Sequence, residues 1–360
     1  MKVCIIGDGL VSLTLANVLI QKDLSVDILF NNKTNKYCKT RTLGISKSNI
    51  DYFNKEIINI KKILWEIKNI KIFTENLSNK EILNFTNNKK QIFSILKNHR
   101  LYEILIKNLK KSKFVKFINN NDHNRIVKEK YKLIIICDPK HKIAKLFIHD
   151  RFEKNYNSYA YTTIINHKKI SPNNTAFQNF TKDGPIAFLP FSNTKTSVVY
   201  SLRINRDKRK IDIKNLIKKF KPKYSITKID DSFRFELKSS NPRKYFKGNI
   251  LAFGDLLHRI HPLAGQGFNM SLRDIKLLSK LIDNKINIGL DLDSSLCHEF
   301  QKETQDKNYI FSSGIDLIYE LFNFESNINT KLISKIINVF GKNKYINSFF
   351  KKLADSGVKI

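Results

Sequence analysis

Cysteine, proline, glycine and acidic residues are all scarce in this chain. Its 360 residues include only 4 cysteines, 7 prolines and 12 glycines. The cysteines (Cys4, Cys38, Cys137, Cys297) stand far apart, with no C-x-x-C pair and no metal-ligand spacing, so neither a disulfide scaffold nor a metal site is expected. Cys4 and Cys137 sit inside apolar runs and read as inert core thiols in a reducing compartment. So little glycine and proline excludes collagen-like chains. Long hydrophobic runs are missing as well. The longest, Leu133 to Cys137, falls far short of the roughly 18 residues that cross a bilayer. The N-terminus, MKVCIIGDGL, meets a Gly-Asp-Gly turn before an apolar signal region can form. Neither a secreted nor an integral membrane protein is therefore expected.

What is present is a core-forming composition, with 41% hydrophobic and 11% aromatic residues, which argues against global disorder. At about 150 residues per domain the length suits two domains. Lys+Arg number 65 against 32 Asp+Glu, a net charge of +33. Arginine accounts for 11 of the 65, leaving 54 lysines scattered along the whole chain. Nucleic-acid readers concentrate basic residues on one element and favour arginine, so a nucleic-acid partner is set aside. Two readings of the charge stay open. One is compositional drift, because Lys, Asn and Ile share A/T-rich codons. The other is attraction to an anionic membrane surface.

The run KVCII at residues 2–6, the turn Gly7-Asp8-Gly9, the helical pattern LVSLTLANVLIQK and the run SVDILF together predict a βαβ unit. YKLIIIC at 131–137 and NILAF at 249–253 have the same buried-strand texture. Between them SYAYTTIIN, TSVVYSLRI and SFRFEL alternate as antiparallel strands do. After about residue 290 the pattern is helical. The expected organisation is a discontinuous Rossmann-like domain (1–75, 95–150 and 240–290), a substrate domain built on an antiparallel sheet (76–94 and 151–239) and a helical C-terminal region (291–360).

Two motifs carry chemistry. Gly7-x-Gly9-x-x-Ser12 sits between a strand and a helix, where the first glycine permits the tight turn and the second lets a pyrophosphate approach the helix N-terminus. Ser12 replaces the usual Gly or Ala. The acidic residue expected at the end of the second strand is absent; Asn31 and Asn32 stand there, and Asp27 lies mid-strand. The second motif is Gly254-Asp255-x-x-His258-x-x-His261-Pro262-x-x-Gly265-Gln266-Gly267-Phe268-Asn269. Asp255 arrives at a strand end, where a carboxylate can accept bonds from a polyol. Gly265 and Gly267 allow a planar ring to approach bare backbone. The helix expected from about Asn269 would favour negative charge there.

These motifs resemble the FAD-dependent aromatic hydroxylases, the group-A flavoprotein monooxygenases, and within them the ubiquinone-biosynthesis hydroxylases. GDLLHRIHPLAGQGFNMSLRD resembles that subfamily's second flavin motif, TAFQNFTKDGPIAFLP at 175–190 its substrate-domain signature, and RTLGIS at 41–46 the segment that carries a flavin-contacting arginine. The resemblance implies an α/β fold of the p-hydroxybenzoate-hydroxylase type. It implies that Gly7, Gly9 and Ser12 hold the FAD pyrophosphate, that Arg41 lies near the flavin, that Asp255 binds the ribityl chain, and that Pro262 and Gly265, Gln266, Gly267, Phe268 and Asn269 line the isoalloxazine. The implied reaction hydroxylates the ring of a polyprenylated ubiquinone precursor with NADH or NADPH and O2, through a flavin C4a-hydroperoxide. The catalytic positions would be His261, Pro262, Gly265 and Gln266.

Such a substrate lives in a bilayer, which implies a cytoplasmic protein, peripheral on the inner face of the plasma membrane, with a quinone-biosynthesis complex as a partner. The family's middle motif departs here: Asp138 is kept, but Pro139, Lys142 and Lys145 occupy its other positions. Two alternatives stay open, a non-catalytic flavin-fold subunit of a quinone-biosynthesis complex and another FAD-dependent oxidoreductase, such as a reductase or halogenase. For His261 and His258 a structural loop role stands beside an acid/base role. Phe177, Phe180, Phe188 and Phe191 read either as core or as substrate box, with Phe188 and Phe191 as the pocket candidates.

Overall fold

The computed structural model describes residues 1–30, 40–86, 90–119, 131–203, 212–328, 330–341 and 343–358. Asn31, Asn32 and Cys38 lie outside them. The chain opens with β1 (Lys2–Ile6), α1 (Leu10–Ile20) and β2 (Ser25–Phe30), the expected βαβ unit, with β1 and β2 parallel. Residues Ser12 to Leu19 of α1 are all buried, because the helix is packed against the sheet on one side and other helices on the rest. Its one buried amide, Asn17, donates to Leu13 O at 2.7 Å and Leu105 O at 3.3 Å and accepts from Asn108 at 2.7 Å, which satisfies it.

Next come β3 (Thr42–Ser46), α2 (Lys47–Glu56), β4 (Trp65–Ile67), β5 (Asn69–Thr74), β6 (Lys80–Thr86), β7 (Phe93–Lys97), α3 (Asn98–Leu109), β8 (Val115–Asn119), β9 (Leu133–Ile136) and α4 (Lys142–Phe147). The second half holds β10 (Arg151–His167), β11 (Thr175–Thr181), β12 (Gly184–Pro190), β13 (Lys195–Arg203), α5 (Ile213–Phe220), β14 (Ile226–Ile229) and β15 (Phe233–Pro242). It closes with β16 (Phe246–Lys247), β17 (Ile250–Ala252), α6 (Gly267–Asn287), α7 (Ser294–Asn327), α8 (Leu332–Gly341) and α9 (Lys344–Ser356).

Three sheets result. The first runs β16-β17-β9-β1-β2-β8 and is parallel apart from β16. Strands from residues 2, 133 and 250 thus lie side by side, as their shared texture predicts. The second runs β14-β10-β13-β12-β11-β5-β6, with β15 also on β10. It is antiparallel except where β5 and β11 run parallel. The expected boundary at residue 76 is therefore too late, since residues 69–74 already pair in this sheet. Single-strand hydropathy could not show this, because the pairing with β11 is made 106 residues away. The third, small sheet joins β3, β7 and β4.

One face of the large sheet packs on α5 through Ile186, Phe188, Val198 and Tyr200. The other meets α7, where Phe180, Phe311, Ile315 and Phe322 cluster with Leu263 and Met270. Among the described residues no helix is long and apolar enough to cross a membrane.

Candidate functional site

The C-terminal ends of β1, β9 and β17 converge on one edge of the parallel sheet, the usual ligand edge of such folds. Gly7 there has φ +116°, and a Cβ on it would sit 3.3 Å from Asp138 N and 3.4 Å from Ser12 Oγ. The position needs glycine both for its conformation and for its neighbours. Gly9, the N-cap of α1, is different: a Cβ there would meet nothing within 4 Å, and no side chain caps the helix. The first-turn N–H groups of α1 therefore have no side-chain cap, which leaves them available to an anion. Gly254, at φ +61°, brings the end of β17 against Val11 of α1, and the exposed Asp255 follows it. The structure thus gathers Gly7, Gly9, Ser12 and Asp255. Asp27, mid-strand, points elsewhere: it is buried and accepts bonds from Tyr131 at 2.7 Å and Lys2 at 2.9 Å. Asp138 accepts the Lys140 N–H at 2.9 Å within its own loop.

The second motif forms two one-turn 3-10 helices, Gly254–Leu256 and Leu263–Gly265, and the loop between them, ahead of α6, which begins at Gly267, two residues earlier than expected. Gly265 has φ +62°, and the nearest atom to a Cβ there would be Gly44 N of β3, at 3.9 Å. The side of Gly265 that lacks a side chain therefore faces the β3 main chain beside the uncapped N-terminus of α6, while a Cβ on Gly44 would meet the Phe93 ring of β7 at 3.4 Å. Asn269 fixes that arrangement. Its Oδ1 accepts from Ser46 N at 2.9 Å and Asn49 Nδ2 at 3.0 Å, and its Nδ2 donates to Gly44 O at 2.9 Å and Gly265 O at 3.3 Å. Its amide is fully used inside the protein, so what Asn269 can offer a ligand is its main-chain N–H. Phe268 likewise sends its side chain into the main core. Gln266 is buried, and its Oε1 has no hydrogen-bond partner among the described residues. Pro262 caps the 3-10 turn. Arg41 is exposed at the start of β3, its guanidinium 5.3 Å over the Phe235 ring.

The two histidines separate clearly. His258 is bonded through Nε2 to Asp274 of α6 at 2.5 Å, not to backbone, and Asn308 of α7 donates to the same carboxylate at 3.1 Å. The sequence reading missed this Asp274–Asn308 pairing; a carboxylate on the apolar face of α6 was the available signal. His261 is stacked on Tyr319, centroids 4.3 Å apart, with Tyr156 edge-on at 5.0 Å. Its Nδ1 accepts the Leu263 N–H at 3.2 Å, which assigns the proton to Nε2. Burial pushes its pKa down to about 3. An imidazole so depressed carries no imidazolium proton near neutrality. Burial also pushes the Cys137 and Cys297 thiols up to about 12, leaving no thiolate.

Strand pleating decides the aromatic question. Phe188 pairs with Val198 and packs with it toward α5, whereas the neighbouring Ser197 faces the other way and accepts a bond from Thr42 of β3 at 2.9 Å. Phe188 is therefore core and faces away from the loop, which corrects its reading as a pocket candidate. Phe180 stacks on Phe322, centroids 3.7 Å apart, and Phe191 lies under Lys97. The face that carries Ser197 instead presents a half-buried row, Gln178, Ala187 and Val199, which the sequence reading did not select.

Residues 150–287 match the family described as FAD binding domain. The ubiquinone biosynthesis monooxygenase COQ6 of Xenopus tropicalis is 27% identical over 210 residues, which is 47% of this chain and 45% of that protein. The 3-demethoxyubiquinol 3-hydroxylase of Escherichia coli K12 is 31% identical over 159 residues, 42% of this chain and 40% of that protein. The chain spans about half the length of the curated relatives it matches. Klebsiella pneumoniae HpxO, solved with FAD and uric acid, superposes with a TM-score of 0.77 at 12% identity, covering 99% of this chain and 97% of that one. The p-nitrophenol 4-monooxygenase PnpA of Pseudomonas putida gives 0.76 at 12% identity, covering 99% and 98%. The fold is that of the FAD-dependent aromatic hydroxylases.

Within this hydroxylase fold the family match covers Asp255 and the loop from His261 to Asn269. Gly7, Gly9, Ser12 and Arg41 lie outside it and stand on geometry. The residues present fit FAD. Gly9 and Gly265 leave room where a side chain would stand, the helix N-termini that follow them carry no side-chain cap, and Asp255 supplies an exposed acceptor.

Proposed function

We propose that this chain is an FAD-dependent monooxygenase that hydroxylates the aromatic ring of a polyprenylated ubiquinone precursor, with NADH or NADPH as reductant. The observation that carries the reading is Gly265, at φ +62° and without a side chain, facing the Gly44 main chain beside the uncapped N-terminus of α6. The first-turn amides of α1, reached past Gly7, Gly9 and Ser12, would hold the pyrophosphate, and Asp255 would accept bonds from the ribityl hydroxyls. The amides of Gly267, Phe268 and Asn269 would meet the ring's polar edge and stabilise negative charge there. Pro262 and Gln266 would border it, and Arg41 would stand at its entrance. When bound, FAD supplies electron transfer from NAD(P)H and activation of O2.

The remaining work is positioning. The row Gln178, Ala187 and Val199 would seat the substrate ring, with the Phe180–Phe322 stack and Leu263 keeping water from that side. His261, neutral and with Nε2–H unpaired among the described residues, would serve as a donor and not as an acid. A bilayer-resident substrate, together with the net charge of +33, supports a peripheral position on an anionic membrane.

The test is to purify the protein, reconstitute it with FAD and add NAD(P)H under labelled O2. Bleaching and recovery of flavin absorbance, with label in the ring of a prenylated phenol, is expected. Protein that stays colourless after FAD soaking overturns the reading. Bound flavin that NAD(P)H does not bleach would favour the non-catalytic subunit, to which the Asp138 carboxylate, engaged with its own loop, lends support, and bleaching without label in the product would favour another FAD-dependent oxidoreductase.

A further inference from the structure

We infer that α8 and α9 form a docking face for an anionic lipid bilayer. Among the described residues, seven large hydrophobic side chains left exposed lie on α8 and α9, from Leu332 to Phe350. On α8, Leu332, Ile336 and Val339 recur at helical spacing on one outward face, Val339 being 70% exposed. On α9, Tyr345 and Phe349 do the same at 88% and 62%. The inner faces are fixed. Ser334 of α8 bonds Glu325 at 2.5 Å, Asn347 of α9 bonds Asn84 O at 3.0 Å, and Asp355 accepts the Ser48 N–H at 2.9 Å. The outward apolar residues are therefore presented by anchored helices.

Charge identifies the occupant. Residues 326–354 contain no Asp or Glu, while Lys331, Lys335, Lys344 and Lys352 are exposed beside the apolar residues. An apolar stripe flanked by lysines and bearing aromatic residues suits a bilayer interface with anionic headgroups. A second copy of the chain would set the same uncompensated lysines against one another. Through Asp355 the face is tied to Ser46 and Ser48, and Ser46 to Asn269 of the flavin loop. The inference deepens the proposed function by naming the surface from which a lipid-soluble substrate would arrive, and rests on that reading for its purpose, not for the binding itself.

The experiment is co-sedimentation of the full chain with vesicles of equal parts phosphatidylcholine and phosphatidylglycerol, against phosphatidylcholine alone. Binding to the anionic vesicles, weakened by salt, is expected. Val339→Asp combined with Phe349→Asp should abolish it. Lys335→Glu combined with Lys344→Glu should weaken it roughly tenfold or more. Circular dichroism and FAD absorbance on the same proteins verify folding. Failure of the wild-type chain to bind anionic vesicles, or unchanged binding by the Asp pair, overturns the inference. So does a dimer that the Asp pair dissociates without any vesicle binding, which would assign the face to a second copy. Flavin-loaded protein that ignores vesicles sinks this inference alone; colourless protein that binds them sinks only the proposed activity.

Discussion

His261 shows how far a single residue's surroundings set its chemistry. Packed between Tyr156 and Tyr319, with its Nδ1 on a backbone N–H, it is held neutral to about pH 3. In the unfolded chain a histidine titrates near 6.5. Between those values the unfolded state binds more protons, so stability falls as pH falls from about 6.5 toward 3, and above 6.5 this residue adds no slope. The loss should reach about 2 kcal/mol by pH 5. Denaturant titrations of wild type and His261→Phe at pH 7 and pH 5 check this: the variant should lose less stability on acidification. Equal losses would show that the imidazole is free to charge.

At the scale of the element, the signature strand β12 depends on its first residue. Gly184 has φ +130°, and a Cβ there would lie 2.0 Å from the Ser201 carbonyl oxygen of β13. Neither the backbone nor the neighbouring strand can yield without breaking the pairing that continues to Pro190. Gly184→Ala should therefore destabilise the protein by more than about 3 kcal/mol, read as a lowered urea midpoint. An unchanged midpoint would mean that the strand shifts freely. Helix α6 shows the complementary case. Its Asp274 is buried but satisfied by His258 and Asn308, so a carboxylate on a core-facing position is compatible with close packing.

For the molecule as a whole, the proposed activity requires the small sheet, the flavin loop and the large sheet to enclose one space. Thr42 to Ser197, Asn269 to Gly44 and Arg41 over Phe235 hold the three together. The row Gln178, Ala187 and Val199 would then be the floor beneath the substrate ring. Ala187→Phe should leave FAD content and flavin absorbance intact and lower kcat/KM for a prenylated phenol roughly a hundredfold through misplacement of the ring. A variant with wild-type kcat/KM would remove this row from the substrate site.

The sequence by itself determined the βαβ unit, the recurrence of its strand texture at 131 and 249, the helical C-terminus, and the two glycine motifs. Those features are local: apolar runs, helical spacing and turn residues act through neighbours a few positions away. The tertiary structure alone decided that residues 69–74 join the large sheet and that Phe188 faces α5. It likewise decided that the side chain of Asn269 clamps the protein to itself and that His258 meets a carboxylate. Each of these turns on a partner brought in from a distant part of the chain, and only the folded packing selects which face of a strand or helix meets it.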